Sequence, residues 1–180
     1  MRCCIGKAVV PEEIVNSKKI YSADEYELVG NHVDYGFDIL RKTVNINAIV
    51  AQVAWQHHER FSGSGYPRHL VGKNILELAR IVAIADVYDA LTTDRPYRSR
   101  LLPHEVVEII RAGQGSEFDP EIATQFIRNI APFPKGSIVL LNSGHKGVIC
   151  SVKKDFPTRP KVKLLKSFKL NGLHISGKTI

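Results

Sequence analysis

Residues 56–67 read QHHERFSGSGYP: two adjacent histidines, His57 and His58, followed by a glycine-rich turn that ends in Tyr66 and Pro67. A histidine near a helix C-terminus interacts favourably with the helix dipole and needs no metal. The other reading is a metal site beside a substrate loop, and the neighbouring segments decide between them. Immediately upstream, NINAIVAQVAWQHHE (45–59) keeps Ile46, Ile49, Val50, Val53 and Ala54 on one side. A helix is therefore predicted to deliver His57 and His58 at its C-terminal end, with Gly63 and Gly65 stopping it. Adjacent residues project about 100° apart on an ideal helix. Both imidazoles reach one centre only if the helix ends between them, as the glycine turn would permit, or if two metals are present.

Further upstream, SADE (22–25) carries a capping-box signature, and Tyr26, Val29, Val33, Phe37 and Leu40 follow at helical spacing. A helix, with room for a kink, is predicted from about Ala23 to Arg41, and His32 lies on it. A lone histidine on a helix is more often a hydrogen-bonded structural residue than a ligand; here it would be a third imidazole from another helix. Downstream, LELARIVAIADVYDALTTD (76–94) is apolar almost all round from Leu78 to Ala85, which predicts a helix buried in the middle of a bundle. Asp86 sits in that run. A carboxylate so placed pays a large desolvation penalty unless a cation meets it. Arg80 or Arg95 would serve, as would a metal, and the nearby histidine pair tips the balance toward metal, because imidazole and carboxylate together suit iron, manganese, nickel or zinc. A shorter helix is expected after Pro103 and another after Asp119-Pro120, where Asp is a good cap and Pro a good first residue.

At 180 residues and 44% hydrophobic, the chain can bury one good core with a small appendage. No apolar run approaches the roughly 20 residues of a transmembrane helix, and MRCCIGK lacks the apolar stretch of a secretion signal, so a soluble cytoplasmic protein with no membrane partner is expected. The three cysteines include the neighbours Cys3 and Cys4, which argues against a disulfide framework. The net charge of +7 is uneven: residues 135–180 hold ten Lys or Arg against Asp155 alone, a balance of +9, while the preceding residues are slightly acidic. Past Pro134 the pattern becomes SIVLLN, GVICSV and KVKLL, separated by SGHKG and KDFPTRP, which predicts a small antiparallel sheet. The expected organisation is a mainly α helical domain over 1–132 and a basic β-rich extension over 133–180. The basic extension reads most simply as a solvated face; nucleic acid is not expected, because only Phe156 and Phe168 supply aromatics for stacking.

Taken together, HHERFSGSGYP, then IADVYDALTTDRPYR (84–98), with IGKAVVPEEI (5–14) and NHVDYGFDIL (31–40) upstream, resemble the HD-GYP family of HD-domain metal-dependent phosphohydrolases. The resemblance runs from about residue 3 to residue 165. It implies a helical bundle that holds two or three divalent metals, usually iron or manganese, and hydrolyses the bacterial second messenger cyclic di-GMP to pGpG or GMP. Carried over by position, His32, His57, His58 and Asp86 correspond to metal ligands, Asp86 and Lys7 to catalytic residues, with Lys7 standing for the lysine of the HDIGK motif. Tyr66 and Pro67 belong to the loop bordering the substrate, Arg95 matches an arginine that grips phosphate, and Arg98 lies where a further phosphate contact is common.

The departure is at the motif that names the family. Where HDIGK is expected, this chain reads Cys3-Cys4-Ile5-Gly6-Lys7, and only Met1 and Arg2 precede it, so the helical domain is read as N-terminally truncated relative to the family. A thiolate binds iron or zinc, so Cys3 and Cys4 are chemically able to serve as ligands. Bridging two hard metals is a carboxylate's task, however, and a stretch this near the chain start is expected to fray. The function expected is a cyclic di-GMP phosphodiesterase-like protein with an incomplete site, a single ion, and weak or no activity. The alternatives are a non-catalytic nucleotide-binding module that docks a protein through the GYP loop, and a gene remnant whose exposed apolar surface drives homodimerisation.

Overall fold

The computed structural model describes residues 2–17, 19, 21–94, 98–130, 132–153 and 156–165, so Arg95 and the side chain of Cys3 fall outside it. The chain opens with a 3₁₀ helix, Arg2–Val9, and a single turn of α-helix, α1 (Glu12–Val15). The opening segment lies packed along α3 (His32–Lys42) instead of fraying, and Gly6 is the reason. A Cβ at Gly6 would collide with the His32 carbonyl oxygen and with Gly36 N, so only glycine lets the two backbones approach this closely.

The predicted long helix is two, α2 (Ala23–Gly30) and α3, broken at Asn31. Its start is the capping box: Ser22 Oγ accepts from Glu25 N while Glu25 accepts from Ser22 N at 2.8 Å. The second helix, α4 (Ala48–Gln56), is capped by Asn47, whose side chain accepts from Ile49 N at 2.9 Å. It packs on α3 through Leu40, Ala51 and Ala54. It ends at His57, six residues before Gly63, so the glycine turn is not its stop. The Gln56 side chain ties this end down on both sides: its Nε2 donates to Gln52 Oε1 and its Oε1 accepts from Leu76 N at the head of the next helix.

That helix, α5 (Glu77–Thr92), is not buried all round: Ala79, Ala83 and Ile84 face the interior, while Leu78 and Ile81 are 45% and 41% exposed. Ile81 lines an open groove with Ile122, Phe126 and Ile130, which explains how an apolar run tolerates a surface side. Helices α6 (Pro103–Ala112) and α7 (Pro120–Asn129) occur where the Pro103 and Asp119-Pro120 signals put them. Together with α5 they enclose the main core of Ile84, Val106, Val107, Ile110, Phe118, Ala123 and Ile127. Each large aliphatic side chain so buried contributes about 1.5–3 kcal/mol. Asp119 caps α7 through Glu121 N and Ile122 N, and its other oxygen pairs with Arg80, tying α5 to α7.

The C-terminal part is a three-stranded antiparallel sheet in the order β1 (Ile138–Leu140), β2 (Lys146–Lys153), β3 (Phe156–Leu164). The third strand begins earlier than the KVKLL run, and takes in Pro157 and Pro160 of the expected connector. An edge strand tolerates proline because half of its N–H groups need no ladder partner. The fold is thus mainly α, a helical bundle with a small β appendage. Among the described residues, no helix is long and apolar enough to cross a membrane.

Candidate functional site

Four segments converge: the 3₁₀ opening, the first turn of α3, the C-cap of α4, and the GYP loop. His32 and His57 are both essentially buried. His32 Nδ1 lies 2.7 Å from the Val29 carbonyl oxygen, and His57 Nδ1 lies 2.8 Å from that of Ala54. A carbonyl only accepts, so each Nδ1 carries the proton and each Nε2 presents a lone pair. Those two Nε2 atoms face one another at 3.4 Å. Two lone pairs opposed in a buried place repel, and the arrangement calls for a cation or a shared proton between them. Burial foremost lowers the His32 pKa; the carbonyl of Val29 works the other way, and the nearby His57 and Lys7 lower it further, which disfavours the proton.

The third donor is Cys4. Its Sγ and one ring nitrogen from each of His32 and His57 all lie within 4.8 Å of one another, a group able to hold a metal ion. In a 3₁₀ helix residues three apart eclipse, so Cys4 and Lys7 share a side, and the Lys7 charge acts on both His32 and His58. His58 follows His57 out of the helix, with ring centroids 4.2 Å from His57 and 5.0 Å from His32. The rings of the two neighbours lie side by side just past the last residue of α4, tilted 39° to one another. Burial, then the adjoining His57, His32 and Arg60, push the His58 pKa down to about 2.

Tyr66 closes the site. Its ring stacks on His58 at 4.9 Å and passes over Gly30 at the end of α2. Burial, and then the neighbouring Tyr26, raise its pKa; Arg60 opposes this, while Asp86 and Cys4 add to it, so Tyr66 stays protonated beside the Asp86 and Cys4 groups. Asp86 itself is half-buried on α5 and outside the three-donor group. The Arg80 alternative for it falls away, because Arg80 is taken by Asp119 and by the Ile75 carbonyl oxygen. Arg98 Nη2 donates to the Ala90 carbonyl oxygen at 2.7 Å, a cation at the C-terminal turn of α5.

Sequence reasoning passed over the residue that holds the loop. Glu59 is 2% exposed, and its two oxygens accept from Arg68 N at 2.8 Å and Leu70 N at 3.0 Å. It thereby fixes the chain just beyond Pro67 from behind. Gly65 completes the arrangement: a Cβ there would strike Arg60 N, the His58 carbonyl oxygen and Glu59 Cα, all backbone. The signal for Glu59 was its position next to the histidines; nothing in periodicity marks a carboxylate whose partners lie nine and eleven residues on.

Three donors meeting in a helical bundle make a group able to hold a metal ion, and comparison with known proteins places that bundle in a family. A family model described as an HD domain matches residues 1–122. This chain belongs to the HD-domain family. A second model, described as a KOW domain associated with HD domain, matches residues 138–180. Among curated relatives, the HD-domain chain is 36% identical over 160 residues to a cyclic di-GMP phosphodiesterase of Pseudomonas aeruginosa, covering 89% of this chain and 38% of that protein. It is 34% identical over 119 residues to the 3'3'-cGAMP-specific phosphodiesterase 2 of Vibrio cholerae (66% and 23%). It is 36% identical over 125 residues to a cyclic di-GMP phosphodiesterase of Thermotoga maritima (69% and 34%). The HD-GYP resemblance of the motifs is supported by these relatives, of whose length the chain spans between 23% and 38%.

Proposed function

We propose that this chain is an HD-GYP-type, metal-dependent phosphodiesterase-like protein that acts on cyclic di-GMP in the cytoplasm, with weak hydrolysis. The observation that carries this reading is the group of half-buried Cys4 with buried His32 and His57 lying beside the GYP loop, with Tyr66 stacked on His58. A divalent ion held there would polarise a phosphoryl oxygen and lower the pKa of a water. In this reading His58 and Asp86 stand beside the three donors as further ligands, Asp86 and Lys7 serve the chemistry, and the Lys7 ammonium offsets charge on the phosphate. Tyr66 and Pro67 border the nucleotide, and Arg95 and Arg98 contribute guanidinium groups to its phosphates. Residues 1–132 would form the hydrolase unit and 133–180 an extension. Reducing conditions in the cytoplasm would keep Cys4 available as a thiol.

Weak turnover follows from the donors: a thiolate offers one soft sulfur where a bridging carboxylate offers two hard oxygens. That same feature favours a second reading, a module that binds the cyclic dinucleotide without hydrolysing it and presents the loop, or a homodimer face, to a partner. Metal content and turnover of cyclic di-GMP and 3'3'-cGAMP, measured with iron(II), manganese(II), zinc(II) and cobalt(II) in turn, distinguish the two. Slow hydrolysis lost in His57→Ala supports the enzyme; saturable nucleotide binding without turnover supports the module; neither binding nor turnover sinks both.

A further inference from the structure

We infer that Cys4 is a thiolate ligand and makes this a site for one ion of the zinc or cobalt(II) class, not for a pair of hard ions; this rests on the reading of His32 and His57 as metal donors. Metal–nitrogen bonds of about 2.0–2.1 Å and metal–sulfur bonds of about 2.3 Å separate the donors around one tetrahedral ion by roughly 3.3–3.6 Å. The two Nε2 atoms are 3.4 Å apart, and the Cys4 sulfur lies within 4.8 Å of a ring nitrogen on each histidine, so one ion reaches all three once the thiol side chain closes on the nitrogens. The imidazoles are already aimed, each by the carbonyl bond at its Nδ1.

Hard oxygen donors are lacking from this group among the described residues. Both oxygens of Glu59 are occupied by the Arg68 and Leu70 amides, and Asp34 accepts from Trp55 Nε1 at 2.7 Å. Asp86 lies outside the group, so as a further ligand it would add one carboxylate to a set that already holds a sulfur and two nitrogens. One sulfur and two imidazole nitrogens suit zinc and cobalt(II), whereas manganese(II) and magnesium prefer carboxylate, carbonyl and water. The position of Cys4 is not a loose one, since Gly6, two residues on, is wedged against α3.

Cobalt(II) titration of the full chain, stripped of metal and kept reduced, tests the assignment. The expected result is a visible spectrum of tetrahedral intensity with a near-ultraviolet sulfur-to-cobalt charge-transfer band, saturating at one ion per chain and displaced by zinc(II). Cys4→Ser should lose the charge-transfer band and at least about tenfold in zinc affinity while keeping its far-ultraviolet circular dichroism. Cys3→Ser and Cys150→Ser should keep the band. Cys4→Asp, a second variant that retains a donor, should lose the band and shift competition toward manganese(II). Cobalt bound without the band, a band surviving in Cys4→Ser, or two manganese ions per chain that zinc does not displace would overturn the inference. A band with no affinity for either cyclic dinucleotide would leave it standing and sink the proposed function instead.

Discussion

The Nε2 atoms of His32 and His57 face each other at 3.4 Å in the interior, each ring held by a carbonyl oxygen at its far nitrogen. Without a cation this contact costs stability, and with one it supplies it. A divalent metal at about a hundredfold above its dissociation constant should therefore raise unfolding stability by about 2.7 kcal/mol. For a chain of this length that is a rise of roughly 5–10 °C in Tm. Differential scanning fluorimetry with zinc(II) checks it. His32→Ala and His57→Ala should each lose the metal-dependent increment, and an increment that persists in either variant would remove these rings from the site.

Glu59 gives the loop its shape, so its loss should be felt in two ways. Glu59→Ala leaves the Arg68 and Leu70 amides without their acceptor, at about 1–3 kcal/mol for each group that water does not reach. Chemical denaturation should show the lower stability, and hydrogen exchange at residues 66–70 should quicken more than exchange in α6. Glu59→Gln, which keeps one accepting oxygen, should fall between the two. Unchanged exchange in the loop would mean that Gly65 and the flanking turns suffice to hold it.

The helices were legible because their signals are local. Ser22 with Glu25, and Asp119 with Pro120, act within one turn, and the structure starts α2 and α7 there. The end of α4 was not legible, because the glycines that mark a stop in the sequence lie at 63 and 65, beyond the residue where the helix ends. Nor was the exposed side of α5: an apolar run shows that burial is possible on every side, and only the neighbours decide which side stays open at Ile81. In the candidate site, motif and spacing singled out His32, His57 and Tyr66, which the structure places close together. The meeting of Cys4 with His32 across 28 positions depends on the contact between Gly6 and α3, which no local pattern encodes.

Asp119 and Arg80 should make stability depend on pH in the acid range. Burial opposes ionisation of Asp119, but the Ile122 amide, Arg80 and the Glu121 amide outweigh it and hold its pKa below the ordinary 3.8. A group with a depressed folded pKa contributes its full stability above the unfolded value and loses it as pH falls through the folded one. Asp119→Asn keeps a good cap and removes the charge, leaving Arg80 buried without its partner. The variant should be less stable by about 3–5 kcal/mol at neutral pH. Urea unfolding at successive pH values should show the difference shrinking below about pH 4. A constant difference down to pH 2 would show that the ionised pair contributes nothing.

His58 sets a separate window at higher pH. Its folded pKa is pushed down to about 2, chiefly by burial, while in the unfolded chain it is near 6.5. Below pH 6.5 the unfolded state therefore takes up a proton that the folded state refuses, and stability falls with acid by at most about 1.4 kcal/mol per pH unit for this ring. Above pH 6.5 both states are neutral and the contribution is flat. Between pH 6.5 and 4.5 Asp119 is ionised in both states, so the histidines separate cleanly from it. Metal-free protein should lose urea stability across this range, and His58→Gln should lose markedly less. If the two slopes coincide, His58 is open enough to water to protonate in the folded chain, and its place beside His57 under the Tyr66 ring must be looser than the stacking implies.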